Sequence, residues 1–316
     1  MIVAFLDLLG FSSLLQRNAE TALDNLNAVN DAIKTRITDR RVMCSPSVSE
    51  PKVDSNAEKW TLMSFNQMIS FSDSLVFGGN DANSFVLQLA NFVASIYIKR
   101  SEPFRKQFNN MNSITTNQNV DAVGSGFYRY HQAAPVFFRG GVSVGDQVCF
   151  FDGCNIRDAE ICQSRNITGN TYLNAVKLEQ SGKGPRLFCD HRVVDALSDK
   201  NVKAMIKKVE GSTDIFEIVW TMEGCSFPED CSDKWANIRK SIDTTMLPSA
   251  INLYRYYRNE KVLKEQYEEL LKLVCCGIIK YADVECDRAN DAIKLINQKL
   301  QNVLAIDTSI LEDFLN

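Results

Sequence analysis

The chain has 316 residues, 45% of them apolar and 23% charged, a composition that excludes a disordered or fibrous protein and leaves room for a substantial core. A net charge of −4 excludes the basic face that a nucleic-acid polymer demands, although a metal ion or a few local donors can hold a mononucleotide on an acidic protein. The ten cysteines form no C-x-x-C pair and only His131 and His191 could assist them, so no zinc site is expected.

Met1 to Leu6 is an apolar run ending at Asp7, and after Gly10 the spacing of Phe11, Leu14, Leu15, Leu23, Leu26 and Val29 predicts an amphipathic helix, giving strand, turn, helix. Residues 44 to 58, with two prolines and several serines, predict an exposed loop. Trp60 to Phe77 holds two β-rich runs separated by Ser72, Asp73 and Ser74, which predicts a hairpin with Asp73 at its tip. A second crossover helix is expected over Ser84 to Arg100, and the Asn-rich stretch 108 to 127 is expected to be a surface excursion.

Val136 to Val144 has strand character around Gly140 and Gly141. Gly169 to Gln180 predicts a helix, Pro185 to Cys189 a strand, Arg192 to Leu197 a helix and Ile215 to Trp220 a further strand. From Trp235 onward the pattern is helical, with Ile238, Ile242, Leu253, Tyr256, Tyr267, Leu270 and Leu271 on apolar faces that suit core or dimer contacts. The longest apolar stretch there, Leu270 to Ile279, is broken by Lys272 and falls far short of the roughly 20 residues of a membrane helix, so no membrane partner is expected. Scattered cysteines and a chain that starts directly on a strand-like segment predict a reduced, cytoplasmic setting.

Asp7 ends a buried strand, and a carboxylate among so many apolar neighbours needs a compensating charge or hydrogen bonds. A hard cation would supply one if Asp73 reached the same point, since magnesium prefers one or two carboxylates together with phosphate oxygens. The residues alone leave open that Asp7 caps the following helix and Asp73 only makes its turn. For Arg139 they leave open a plain salt bridge, with Gly140 and Gly141 admitting a close backbone neighbour.

The strings FLDLLGFS, ISFSDSLVF, FFRGGVSVG and GNTYLNAVKLE, in that order over residues 1 to 225, resemble the catalytic core of class III nucleotidyl cyclases, and in particular the bacterial Pycsar pyrimidine cyclases of anti-phage defence. The resemblance implies an α+β fold with a ferredoxin-like βαββαβ core and additional strands over 1–225, followed by a helical C-terminal extension over 226–316. It implies two Mg2+ or Mn2+ ions held by Asp7, Leu8 and Asp73, with phosphate contacts from the turn at Phe11 and Ser12 and from Arg139.

Two departures accompany it. Leu173 stands where purine cyclases carry a ribose-orienting Asn, and Lys177 where they carry a transition-state Arg, keeping the charge without the bidentate fork. Ile69 replaces the purine-reading Lys and Asn166 the purine-reading acid, which argues for a pyrimidine base because an amide both donates and accepts. The implied activity is a uridylate cyclase making cyclic UMP from UTP, with CTP as the alternative and a non-catalytic nucleotide-binding module or a purely structural protein as rivals. The implied partners are a second copy of the chain, whose Asn166 and Lys177 complete each site, and a separate effector that binds the cyclic product.

Overall fold

The computed structural model describes residues 1–33, 64–107, 136–157, 160–226 and 233–304. The elements in chain order are β1 (Ile2–Leu8), α1 (Phe11–Arg17), α2 (Ala19–Ile33), β2 (Phe65–Phe71), β3 (Ser74–Gly79), α3 (Ala82–Arg100), α4 (Glu102–Gln107), β4 (Phe138–Val144), β5 (Cys149–Arg157), β6 (Glu160–Thr168), α5 (Asn170–Glu179), β7 (Leu187–Asp190), α6 (His191–Ala196), α7 (Lys200–Ala204), β8 (Ile206–Lys208), β9 (Ile215–Ile218), α8 (Thr221–Cys225), α9 (Lys234–Asp243), α10 (Met246–Tyr257), α11 (Lys261–Cys286) and α12 (Ala289–Leu304). The loops expected at 44 to 58 and 108 to 127, together with His131, lie outside the described residues.

Seven strands make one sheet in the order β2-β3-β1-β4-β7-β9-β8. Strand β1 pairs antiparallel with both β3 and β4, and β2 pairs antiparallel with β3. With α1–α2 and α3–α4 as the two crossovers, this is a ferredoxin-like βαββαβ unit. Strand β7 adds parallel to β4, so the sheet is mixed and the fold is α+β with additional strands and a helical C-terminal region, as expected.

Strand periodicity divides the two faces of the sheet. Ile2, Ala4, Leu6 and Leu8 of β1, Leu75 and Phe77 of β3, and Phe138 and Val142 of β4 enter the main core. Val3 and Val76 enter a smaller cluster with Ile69 and Ala175, under α5. Helix α3 lies on the main-core side and is buried nearly all round over Phe85–Tyr97, because the sheet covers one flank and helices the other. The C-terminal helices supply much of that cover: Leu253, Leu270, Val274, Ile278 and Ile296 all belong to the same core. The Tyr97 hydroxyl donates to Met246 O at 2.9 Å and the Trp220 indole N–H to Pro185 O at 2.8 Å, so these two polar groups are satisfied within the core.

Three local outcomes differ from the sequence reading. The helix expected after Gly10 is two helices broken at Asn18, whose extended backbone ends α1 and whose Oδ1 accepts from the Thr21 N–H at 3.0 Å to open α2. An Asn side chain competes for backbone hydrogen bonds in this way wherever a helix offers it an end. The β5–β6 hairpin was not anticipated, nor were α7 and β8. That hairpin forms a second sheet seated on the α5 side, with the Phe150 ring against Gly78 and Arg165 Nη1 donating to Gln67 Oε1 at 2.6 Å.

Candidate active site

The two aspartates meet where β1 ends. Asp7 pairs across the ladder with Ser74 on one side and with Arg139 on the other. Asp73 lies in the two-residue turn between β2 and β3, where Ser72 takes a positive φ of 50°, and its carbonyl accepts from the Leu8 N–H at 3.0 Å. The hairpin tip is thereby tied to the end of β1, and both aspartates lie at one end of adjacent strands.

Alternation puts Ser74, Asp7 and Arg139 on the face that bears Val3, Val76 and α5. The Asp7 carboxyl is half-buried there and accepts a hydrogen bond from the Ser74 hydroxyl at 3.2 Å. Burial raises its pKa above the ordinary carboxylate range, and the neighbouring charges of Asp73 and Glu179 raise it further, against the lowering effects of the Ser74 bond and Arg139. Negative charge around Asp7 is therefore under-compensated, the condition in which a carboxylate favours a cation. Among the described residues no group of three or more His, Cys, Asp or Glu side chains is arranged to hold a metal, so any ion here would rest on two carboxylates and on what the substrate brings, which fits magnesium's preference.

Glu179 is the site residue that sequence reasoning passed over. It ends α5, its side chain is 5% exposed, and it forms an ion pair with the Nε of Arg139. Helix α5 comes this close because of the glycine beside the arginine: a Cβ on Gly141 would stand 2.0 Å from Ala175 O and 2.7 Å from Glu179 N. The signal was present in the Gly140–Gly141 pair, but the identity of the approaching backbone lies some forty residues downstream and no local pattern names it. Ser74 was likewise read only as a turn residue.

The remaining expected positions fall in distinct places. Phe11 is buried in the main core, while Ser12 is exposed in the first turn of α1, which follows Gly10 at φ 73° with no side-chain cap. The Leu8 side chain is buried, leaving only its backbone to face an ion. Ile69 is 5% exposed in the small apolar cluster, and Asn166 is half-buried on β6 opposite Phe151. Lys177 and Leu173 lie on the exposed side of α5, whereas Thr171, Ala175, Leu178 and Glu179 are buried. One chain thus gathers Asp7, Asp73, Ser74, Arg139 and Glu179, while Lys177 is exposed on α5.

No family model matches the sequence, and no curated protein matches it. Among solved structures the chain is similar to adenylate cyclases of Trypanosoma brucei in their monomeric state, in two structures at 10% and 11% identity, each with a TM-score of 0.36, covering 69% of this chain and 89% and 86% of those. It is also similar to the adenylyl cyclase CyaB of P. aeruginosa, at 15% identity with a TM-score of 0.35, over 69% of this chain and 92% of that one. Likeness of this extent carries no weight for activity. Among the described residues no helix is long and apolar enough to cross a membrane.

Proposed function

We propose that the chain is a metal-dependent nucleotidyl cyclase that converts UTP to 3′,5′-cyclic UMP and pyrophosphate as a homodimer. The observation that supports this most is the convergence of Asp7 and Asp73 at one strand end, with the Asp7 carboxyl under-compensated and Arg139 across the ladder. Two Mg2+ or Mn2+ ions held by Asp7, Asp73 and the Leu8 backbone would acidify the ribose 3′-hydroxyl and neutralise the triphosphate. The 3′-oxygen then bonds to the α-phosphorus, the bond to the bridging oxygen breaks, and pyrophosphate leaves while the hydroxyl proton passes to solvent.

The protein's own part is positioning and charge. With its Nε on Glu179, Arg139 keeps both Nη groups for phosphate oxygens, and the uncapped amides at Phe11 and Ser12 add donors at the start of α1. Lys177 of the partner subunit stabilises charge on the phosphorus, in keeping with the exposed place of Lys177 on α5. Ile69 and Asn166 of the partner subunit border the base, where loss of a purine-reading lysine favours a pyrimidine. CTP is the close alternative. By the resemblance of its motifs to class III cyclases the division at residue 225 marks the end of the catalytic domain and the product informs a separate effector during phage infection, and the scattered cysteines suit a cytoplasmic setting.

A nucleotide-binding module without turnover is the second reading, favoured by the 51% exposed Leu173 where an orienting amide would stand. The test incubates the purified protein with each of the four ribonucleoside triphosphates and Mg2+ or Mn2+, identifies products by mass, and uses Asp73→Asn as control. A cyclic pyrimidine monophosphate made by the native protein alone supports the proposal. Nucleotide binding with no product from any triphosphate would give the second reading its support.

A further inference from the structure

Arg139 stands directly opposite Asp7 in the β1–β4 ladder, on the same face, at a separation where opposite charges ordinarily pair. It bonds instead to Glu179, and no hydrogen bond or ion pair joins it to Asp7. Two carboxylates compete for one guanidinium, and the more buried of them holds it: the Glu179 side chain is 5% exposed, and a buried carboxylate stripped of its partner is strongly penalised. Helix α5 delivers Glu179 to that place because Gly141 lets its last turn rest on β4.

We propose that Glu179 is a positioning residue that keeps Arg139 off Asp7 and so keeps the Asp7–Asp73 pair open to a divalent cation. This rests on the cyclase reading for the identity of the ion's site, but it adds a residue and a role that the metal and substrate positions do not include. Without Glu179 the guanidinium has one carboxylate within reach, and pairing with Asp7 would supply the charge that the cation otherwise supplies.

The experiment measures Mn2+ binding, without nucleotide, by titration calorimetry on the full chain and on Glu179→Gln, Glu179→Asp and the double variant Arg139→Gln/Glu179→Gln, each checked for folding by circular dichroism. Glu179→Gln should weaken Mn2+ binding about tenfold or more, since a cation moves next to the ligand carboxylate. Glu179→Asp should recover part of the loss, and the double variant, which has no arginine to move, should bind about as tightly as the native chain. A Glu179→Gln affinity equal to the native one overturns the proposal. A double variant as weak as the single one, or unfolded, also overturns it, since Glu179 would then serve the fold or the ion directly. Absence of Mn2+ binding by the native chain without nucleotide defeats this inference alone, as does cyclic product from the native chain with unchanged Glu179→Gln affinity, whereas absence of cyclic product from every triphosphate with Mn2+ defeats the cyclase reading.

Discussion

Replacing Gly141 with alanine puts the packing of α5, and the site that depends on it, to a quantitative trial. The added Cβ would lie 2.0 Å from Ala175 O, 2.7 Å from Glu179 N and 2.8 Å from Leu178 Cβ, where ordinary contact begins at 3.4 Å. Two of those three neighbours are helix backbone, so no rotamer change relieves the clash and α5 must withdraw by more than an ångström. Overpacking that the backbone must absorb costs about 3 kcal/mol, the upper end of the usual range. For a chain of this size that lowers the apparent melting temperature by about 6 °C. Withdrawal also carries Glu179 away from Arg139, and a misplacement of that size lowers turnover by about a hundredfold. Thermal melts followed by circular dichroism, with turnover assayed well below the transition, measure both effects. Gly211→Ala is the control: nothing lies within 4 Å of its Cβ, and only the positive φ of 73° is strained. It should cost about 1 kcal/mol and leave turnover intact. A Gly141→Ala protein that melts with the native one and turns over at the native rate would refute the packing argument and the dependence of the site on it.

Asp7→Asn should abolish turnover and at the same time raise the melting temperature at neutral pH. The folded pKa of Asp7 lies above its unfolded value, so its ionisation opposes folding at high pH and ceases to do so as the pH falls to the ordinary carboxylate range; melts between pH 7 and 4 should show the advantage of the variant shrinking with acid. Mixing Asp7→Asn with Lys177→Met subunits, each inactive alone, should restore about a quarter of the native rate, because half the dimers are mixed and each mixed dimer has one intact site. An inactive mixture whose subunits demonstrably exchange would count against a shared site. Tyr97→Phe leaves Met246 O without its buried donor and should cost about 1–2 kcal/mol in chemical denaturation with no change in product.

Much of the fold was legible because strand ends and turns carry local signals. Asp7 closes an apolar run, Asp73 sits among turn residues, and the ladder then brings them together without any long-range information beyond the pairing of β1 with β3. Gly140 and Gly141 announced a close backbone approach, and Ala175 O at the Gly141 position is that approach. Other features were not legible. The segment Cys149–Arg157 mixes cysteine, aspartate and asparagine with its aromatics, so no clean alternation marked β5, and its partner β6 is equally polar. Glu179 ends a helix that exposes Asn170 and Lys177, and only the tertiary contact with Arg139 shows that it is buried. Helix α3, buried on nearly every side, gave a helix signal but no hint of which flank met the sheet and which met the C-terminal helices.

The most direct trial of the account is to follow UTP turnover with Mn2+ by counting pyrophosphate and cyclic product together, in the native chain and in Asp73→Asn. The account requires one pyrophosphate for each 3′,5′-cyclic UMP, both lost in the variant; release of inorganic phosphate with UDP, or equal turnover by Asp73→Asn, would contradict it.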